Sequence, residues 1–321
     1  MKKTLLITSA GRRNQLQQCF RQDATILGIE LNVLAADMRP EMSSACQQAD
    51  ATFTVPKCTD PEYVPTLLDI CSREGVDFLV PTIDPELAVL SEHAVDFAQI
   101  GTSVIVSDAN VITLAGDKQA TALQLDRVGI PVPRTVTLLE YRNNPDILLG
   151  PVIAKPIGGS ASVGIVRPKK LEDLEGLSDA GYIVQELLEG TEYTVNVFFD
   201  QAGQLCCAVP HRRIEVRSGE VSKGRTERVP VLMDAADKLS RVLTGARGAL
   251  CFQAIIKDSG EAAIFEINAR FGGGYPLAHH AEARFSQWLL EEICGYPSTA
   301  SNEWKDGVTM LRYDAAVFLN D

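Results

Sequence analysis

The stretch Phe265-Glu266-Ile267-Asn268-Ala269-Arg270 alternates polar and apolar residues in the manner of a β-strand with one wet face. Successive side chains of a strand point to opposite sides, so Glu266, Asn268 and Arg270 share one face and Phe265 points to the other. Two oxygen ligands and a cation therefore lie on one surface. An amphipathic hairpin with an ordinary polar face has the same pattern, and the rest of the chain has to decide between these interpretations.

The stretch forms the second half of a predicted hairpin. Residues 249–256 have a strand pattern, and residues 257–260, Lys-Asp-Ser-Gly, are typical of a turn. With a two-residue loop at Ser259 and Gly260, Gln253 faces Glu266. Directly opposed side chains lie about 5 Å apart, so Gln253, Glu266 and Asn268 can surround one cation. Ligand sets made only of oxygen atoms suit Mg²⁺ or Mn²⁺ rather than zinc.

Composition excludes several classes of protein. The 321 residues exceed one ordinary core and predict two or three domains. A formal net charge of -12 argues against nucleic-acid binding. No apolar run approaches the roughly 18 residues of a membrane span, and Met1-Lys2-Lys3 leads into a short strand rather than a signal peptide. We therefore expect a cytoplasmic protein that binds neither nucleic acid nor membrane. Eight cysteines without Cys-x-x-Cys spacing predict reduced thiols.

The first third of the chain alternates strand and helix patterns, which predicts a parallel α/β sheet. The predicted strands are residues 4–8, 31–36, 52–55, 78–80 and 103–106, with helices that include 64–72 and 86–97. Ligands of such sheets bind at the carboxyl ends of the strands. Residues 9–13, Asp37 and residues 82–86 fall there.

Two of these segments have open interpretations. Residues 9–13 lack the Gly-x-Gly-x-x-Gly dinucleotide pattern. Arg12 and Arg13, which open a helix after Gly11, can hold an anion or can simply be solvated. Asp84 and Glu86 can pair with a substrate ammonium group or can cap the following helix.

A second unit follows a helix that ends before Gly129-Ile130-Pro131-Val132-Pro133. The strand 152–156 contains Lys155 and leads into the glycine-rich segment 158–164, with a further strand at 165–167. Glycine-rich turns between strands let backbone N–H groups close over phosphates. The segment is not a Walker loop, and a flexible hairpin without a ligand fits it equally well. Downstream, arginines and lysines are concentrated over residues 212–228, which suits either a solvated face or an anionic substrate.

The order and spacing of these segments resemble the ATP-grasp superfamily, in particular the large subunit of carbamoyl-phosphate synthetase and its single-copy relatives. The matching positions are Lys118, Lys155 before the glycines, residues 185–192 (Gln-Glu-Leu-Leu-Glu-Gly-Thr-Glu), and Gln253 with Glu266-x-Asn268-x-Arg270. The resemblance covers essentially the whole chain. It implies a pre-ATP-grasp, Rossmann-like parallel α/β domain at residues 1–113, followed by an ATP-grasp fold of two α+β subdomains. The small subdomain would span residues 114–187, and the large one, with the metal site, residues 188–321.

The resemblance also implies roles for individual residues. For ATP these are Lys118 and Lys155 on the phosphates, a flap that contains Gly158, Gly159, Ser160 and Gly164, the backbone of Glu186 and Leu188 at the adenine edge, and the Glu192 carboxylate on the ribose hydroxyls. Gln253, Glu266 and Asn268 would hold Mg²⁺ or Mn²⁺. Gln253 departs from relatives that have an acid at this position, which leaves one formal carboxylate charge in the site.

The implied activity is that of an ATP-dependent carboxylate–amine ligase. Arg270 would stabilise charge on the transferred phosphoryl group. The basic loop, especially Arg212, Arg213, Arg217 and Lys223, would recognise a substrate carboxylate. A small carboxylic acid, expected to be an amino acid, would form an acyl phosphate and then react with an amine. A non-catalytic or regulatory ATP-binding protein and a kinase that releases the acyl phosphate are the alternatives. The sequence leaves the oligomeric state open, and a homodimer is compatible with it.

Overall fold

The computed structural model describes residues 1–159 and 163–319, and within them the chain forms three β-sheets surrounded by helices. None of the described helices combines the length and the apolar character needed to cross a membrane.

The N-terminal domain contains a parallel sheet. After each strand the chain crosses back to the end of the sheet where that strand began, so that the next strand runs in the same direction. Its strands are β1 Lys2–Ile7, β2 Glu30–Asp37, β3 Ala51–Thr54, β4 Phe78–Val80 and β5 Ser103–Val104. Its helices are α1 Asn14–Ile26, α2 Tyr63–Glu74, α3 Asp84–Glu92 and α4 Ala94–Gln99. The strand order is β3-β2-β1-β4-β5, so the direction of winding reverses between β1 and β4. Crevices for ligands form at such a reversal, beyond the carboxyl ends of the strands.

The small subdomain is an antiparallel sheet in the order β6-β8-β7. Its elements are β6 Thr135–Thr137, α7 Leu138–Asn143, β7 Val152–Pro156 and β8 Tyr182–Glu186, preceded by α5 Ala109–Gly116 and α6 Lys118–Arg127. The strand expected at residues 165–167 is reduced to one bridge between Val166 and Ala154. This sheet packs on a small core of its own, formed by Leu138, Leu148, Val152, Ala154, Leu174 and Val184.

The large subdomain is an antiparallel sheet in the order β13-β12-β9-β10-β11-β14. Its strands are β9 Thr191–Phe199, β10 Leu205–Arg217, β11 Glu220–Thr226, β12 Gly248–Ile256, β13 Ala262–Asn268 and β14 Thr309–Leu311, and its helices are α8 Pro230–Val242, α9 Tyr275–His280 and α10 Phe285–Cys294. The segment between α9 and α10 contains Glu282, whose φ of 75° is incompatible with a continuous helix.

The N-terminal domain and the large subdomain share their hydrophobic cores. Phe20 of α1 lies 5.9 Å from Phe78 of β4 and 6.0 Å from Phe271 of the large subdomain, measured between ring centroids. The buried Asp23 carboxylate of α1 accepts hydrogen bonds from Arg284 and Ser286 at 2.8 and 2.5 Å. These two units are therefore packed against each other.

Candidate active site

A cleft of about 710 Å³ lies where the three sheets meet. The N-terminal domain contributes the loops after β1 and β4, which flank the reversal of strand order. The small subdomain contributes β7 and β8, and the large subdomain contributes β9, β12 and β13 together with the β10–β11 turn. The sheet topology therefore brings segments that are far apart in sequence to one cavity.

The predicted pairing of Gln253 with Glu266 across β12 and β13 is confirmed, although the turn differs from the expected one. Hydrogen bonds from Gly260 N–H to the Lys257 carbonyl and from Lys257 N–H to the Glu261 carbonyl close a three-residue loop instead of a two-residue one. Gly260 has a φ of +83°, which glycine tolerates at such a turn. A β-bulge beside Gln253 then shifts the register by one residue and restores the expected pair.

The same bulge moves Phe265 to a face opposite to the one predicted. Simple alternation places Phe265 away from Glu266, but both side chains line the cleft. Gln253 pairs with Glu266 and Ala254 with Ile264, so Phe265 is the extra residue of the bulge. Its ring lies 4.9 Å from the ammonium nitrogen of Lys155, within the range of a cation–π contact.

Two lysines reach the cleft from the small-subdomain side. Lys118 starts α6, and its ammonium group donates to the Gly159 carbonyl at 2.7 Å. Lys155 on β7 is 8% exposed, and burial lowers its pKa to about 8 against the opposing attraction of Glu266. Both lysines lie close enough to Glu266 to influence the pKa of its carboxyl group.

Glu266 is the carboxylate of the predicted metal set. Burial raises its pKa and Asp84 adds to that effect, while Lys118 and Lys155 oppose it. Within residues 1–159 and 163–319, its carboxylate makes no hydrogen bond or ion pair with another side chain. The same part of the chain contains no group of three or more His, Cys, Asp or Glu side chains arranged for a metal ion. A metal here would therefore need the carboxamide oxygens of Gln253 and Asn268 and oxygen atoms from a ligand.

Arg270 is fixed by the N-terminal domain. Its Nε and Nη2 atoms donate to one oxygen of Asp84 at 3.1 and 2.7 Å, and Nη2 also donates to the Asn268 side-chain oxygen at 3.1 Å. The Arg270 side chain is 13% exposed. Burial opposes its charge, but Asp84 and Cys251 keep the pKa of Arg270 above its ordinary value.

The fold brings most of the residues that were predicted to bind ATP to the cleft. The cleft is lined by Lys118, Lys155, Gly158, Gly159, Glu186, Leu188 and Glu192. The Glu192 carboxylate lies 3.0 Å from Nε of Arg213. The backbone N–H of Glu186 donates to the Arg134 carbonyl at 3.0 Å, which extends the hydrogen bonding between β6 and β8. This N–H group is therefore not available to a ligand.

Two residues of the expected flap are not part of the described cleft. Ser160 lies outside the described residues. Gly164 does not line the cavity; a Cβ atom there would lie 3.0 Å from both Pro156 and Tyr182 side-chain atoms. Gly164 therefore permits close packing on β7 and β8.

The structure does not bring Arg212 or Lys223 to the cleft. Arg213 lines the cavity, and because strand side chains alternate, its neighbour Arg212 points away, with Nε 3.3 Å from Glu227. Lys223 pairs with Glu215 at 2.6 Å on the exposed part of the β10–β11 ladder. The sequence shows that basic residues are concentrated here. Which of them face the cleft depends on the β-bulges in β10, which the sequence does not show.

The two acidic residues after β4 have different environments. Asp84 lines the cleft, whereas Glu86 is fully buried and accepts hydrogen bonds from Tyr63, Ser9 and the two backbone N–H groups of residues 82 and 83, directly before α3. Burial raises the pKa of Glu86 against these hydrogen bonds. Glu86 therefore holds the loop after β4 in place and cannot meet a substrate.

Glu220 and Arg312 were not singled out by sequence reasoning. Glu220 lines the cleft on the β10–β11 turn, where it binds Arg13 from the N-terminal domain and Arg312 after β14. These partners are 207 and 92 residues away from it in sequence, so no local pattern indicates the cluster.

The comparisons with known proteins agree with this architecture. Residues 5–105 match the family described as PylC-like, N-terminal domain, and residues 115–274 match the ATP-grasp domain family. The chain belongs to the ATP-grasp superfamily, which confirms the predicted superfamily and fold class, while the particular likeness to carbamoyl-phosphate synthetase stays a prediction. A search of curated proteins gives no match.

Solved structures share the fold at low sequence identity. The biotin carboxylase of Campylobacter jejuni, in complex with β-γ-ATP, has a TM-score of 0.73 at 15% identity over 94% of this chain and 73% of that chain. The biotin carboxylase domain of Hydrogenobacter thermophilus 2-oxoglutarate carboxylase, with MgADP, ADP and bicarbonate, has a TM-score of 0.71 at 17% identity over 94% and 71%. Staphylococcus aureus N5-carboxyaminoimidazole synthetase has a TM-score of 0.69 at 17% identity over 95% and 81%.

Proposed function

We propose that the protein is an ATP-dependent carboxylate–amine ligase that acts through an acyl phosphate, with an amino acid as the expected carboxylic acid. The observation that carries the proposal is the position of Lys155, Glu266 and Arg270 around one cleft, with Lys118 beside them. Phosphoryl transfer depends mainly on positioning and on neutralising charge, and these groups provide both.

Lys118 and Lys155 are the groups that we assign to the ATP phosphates. Lys118 lies against the glycine-rich segment through its contact with Gly159, and the Lys155 ammonium lies 4.9 Å from the centre of the Phe265 ring and is attracted by Glu266. We assign the ribose hydroxyls to Glu192, whose position Arg213 fixes. We assign the adenine edge to the backbone of Glu186 and Leu188; because the Glu186 N–H donates to the Arg134 carbonyl, Glu186 would contribute its own carbonyl oxygen.

The residues present fit Mg²⁺, and Mn²⁺ by the same chemistry. Mg²⁺ is usually bound through one or two carboxylates together with substrate phosphates. Glu266 is a half-buried carboxylate that lines the cleft and is not hydrogen-bonded to another described side chain, and Gln253 and Asn268 add two carboxamide oxygens. When bound, the ion would neutralise charge on the phosphates. Among the matched proteins, the Hydrogenobacter thermophilus structure contains MgADP.

The reaction would proceed in two balanced steps. A carboxylate oxygen of the first substrate attacks the γ-phosphorus of ATP, and the bond to the bridging oxygen breaks to release ADP. The amine nitrogen then attacks the acyl carbon, which forms the amide, expels phosphate and loses a proton. Arg270 would stabilise the charge on the transferred group while Asp84 and Asn268 hold its guanidinium plane.

The proposed reaction forms no covalent bond between the protein and the substrate. The only described thiol that lines the cleft belongs to Cys251, and burial raises its pKa to about 11. A thiol with that pKa is almost entirely protonated near neutral pH and is a weak nucleophile.

The test is release of ADP from ATP and Mg²⁺ with pairs of amino acids and amines, with mass spectrometry of the product. We expect ADP and amide in equal amounts for at least one pair, and loss of both in Glu266→Gln. Release of phosphate without amide would indicate the kinase alternative. ATP binding without ADP release under any pair would contradict the ligase and indicate a binding protein.

A further inference from the structure

Three parts of the chain meet at Glu220. One oxygen of its carboxylate accepts from Arg13 Nη1 at 3.1 Å, and the other accepts from Arg312 Nη1 at 2.9 Å. Arg12, which is exposed and lines the cleft, lies near enough to help lower the pKa of Glu220 against the effect of burial. We call Arg12, Arg13, Arg312 and Glu220 the arginine cluster.

The arginine cluster carries an excess of positive charge. Its three guanidinium groups and one carboxylate give the cluster a formal excess of two positive charges. Two other carboxylates that line the cleft already have partners, because Asp84 is bound to Arg270 and Glu192 to Arg213. Burial, together with Arg270 and Arg312, lowers the pKa of Arg13 even though Glu220 raises it. Neighbouring guanidinium groups repel one another, and an anion bound between them would reduce that repulsion.

The local backbone is adapted to this cluster. A Cβ atom on Gly273 would lie 2.6 Å from the carboxyl carbon of Glu220, so any other residue here would force the carboxylate to move. Arg312 Nη2 donates to the Gly273 carbonyl at 2.5 Å. Arg13 is the N-cap residue of α1, which has 13 residues and no side-chain cap, and the positive end of that helix favours an anion beside the same arginines.

We propose that the arginine cluster is an anion-binding subsite for a carboxylate or phosphate group that belongs to a substrate but does not react. The inference rests on the proposed ligase function for the identity of the ligand, because the subsite opens on the same cleft as Arg270. It defines the substrate class as a carboxylic acid or amine with a second, anionic group, as in an amino acid that supplies the amine. Arg12 is the residue that determines specificity, since its guanidinium group is exposed and can bind a carboxylate or phosphate through two hydrogen bonds.

Binding can be tested without turnover. The full chain is titrated calorimetrically with inorganic phosphate and, separately, with acetate, in the presence of Mg²⁺ and a non-hydrolysable ATP analogue that fills the triphosphate site. We expect Arg12→Gln to weaken binding of the preferred anion about tenfold or more, the scale of lost hydrogen bonds to a charged group. Arg12→Lys, which keeps the charge, should retain part of the affinity.

Arg39→Gln is the matched control, because Arg39 is an exposed arginine that follows β2 at the same edge of the sheet but does not line the cleft. It should leave anion binding unchanged. Absence of anion binding in the wild type, or equal binding in Arg12→Gln and the wild type, would overturn the subsite.

A second arm separates this inference from the proposed function. In the ADP-release assay, each substrate with a non-reacting carboxylate is compared with its carboxamide, in which that anionic group is removed. We expect the carboxamide to lose about tenfold or more in kcat/KM and Arg12→Gln to abolish that preference. Ligase activity without the preference would overturn the subsite and leave the ligase standing. Anion binding that depends on Arg12 without any ADP release would do the reverse.

Discussion

Asp84 of the N-terminal domain and Arg270 of the large subdomain form an ion pair with hydrogen bonds of 2.7 and 3.1 Å to a single carboxylate oxygen. The two residues are 186 positions apart in sequence. The pair joins the loop after β4 to the end of β13, and it holds the guanidinium group of Arg270 next to the Asn268 side chain. The N-terminal domain thus takes part in the site by fixing the residue that we assign to the transferred phosphoryl group.

The substitution Asp84→Asn should destabilise the protein. The new carboxamide can still accept a hydrogen bond, but the charge of Arg270, 13% exposed, loses its counter-ion. We expect the free energy of unfolding to fall by about 1.5–3 kcal/mol, the range for hydrogen bonds to charged groups. Urea denaturation measures the change.

Asp96→Asn is the control for this prediction, because Asp96 pairs with His93 on the surface at 2.7 Å. Exposed pairs contribute about 0–1 kcal/mol, so its unfolding curve should stay close to that of the wild type. Equal effects of the two substitutions would show that the Asp84 contact has no special energetic role.

Replacement of Glu266 by glutamine should impair metal-dependent turnover. The change keeps the size of the side chain and removes the one carboxylate of the proposed metal set. We expect turnover to fall by about 10²-fold or more and the Mg²⁺ concentration for half-maximal activity to rise. Glu261→Gln, on the same hairpin but exposed and paired with Lys257, should behave like the wild type. Unchanged Mg²⁺ dependence in Glu266→Gln would contradict the assignment of the metal site.

The pKa of Lys155, lowered to about 8 by burial, predicts a pH-dependent affinity for ATP. Above that pH the free protein has a neutral Lys155, and binding of a triphosphate then requires uptake of a proton. The affinity should fall by about tenfold per pH unit between about pH 8 and 9.5. In Lys155→Arg this dependence should disappear, because arginine stays charged. Calorimetric titrations across this range measure it, and a flat wild-type profile would refute the prediction.

The same shift has the opposite consequence for the stability of the free protein. A lysine whose folded-state pKa lies below its unfolded value of 10.5 binds fewer protons in the folded state between pH 8 and 10.5. Stability rises with pH wherever the unfolded state binds more protons. The contribution of Lys155 is therefore unfavourable below about pH 8 and is relieved as the pH increases. The pH dependence of unfolding should lose this rise in Lys155→Arg.

The sequence predicts the order of the elements better than their local irregularities. Strand and helix patterns in the first third of the chain correspond to the parallel sheet, because each pattern reports burial on a regular element. Gln253 and Glu266 are opposed as predicted, but through a longer turn and a bulge whose effects cancel. Phe265 faces the cleft because bulges depend on tertiary packing and leave little trace in a pattern of alternation.

The sequence also does not show which charged residues form ion pairs when they are far apart along the chain. Arg212 and Arg213 are adjacent in a basic segment, and only the fold shows that Arg213 faces the cleft while Arg212 contacts Glu227. Glu220 becomes significant only when Arg13 and Arg312 are brought to it. Charge composition indicates that such contacts exist, and topology decides which residues make them.

The most direct test of the central claim follows isotopic oxygen from the carboxylic acid. With a substrate pair identified by the ADP-release assay, the acid is labelled with ¹⁸O in both carboxylate oxygens and the released phosphate is analysed by mass spectrometry. An acyl phosphate requires one labelled oxygen in each phosphate, because the carboxylate oxygen that attacks ATP leaves with the phosphoryl group. Phosphate without label would show that water attacks ATP, and the proposed ligase mechanism would be wrong.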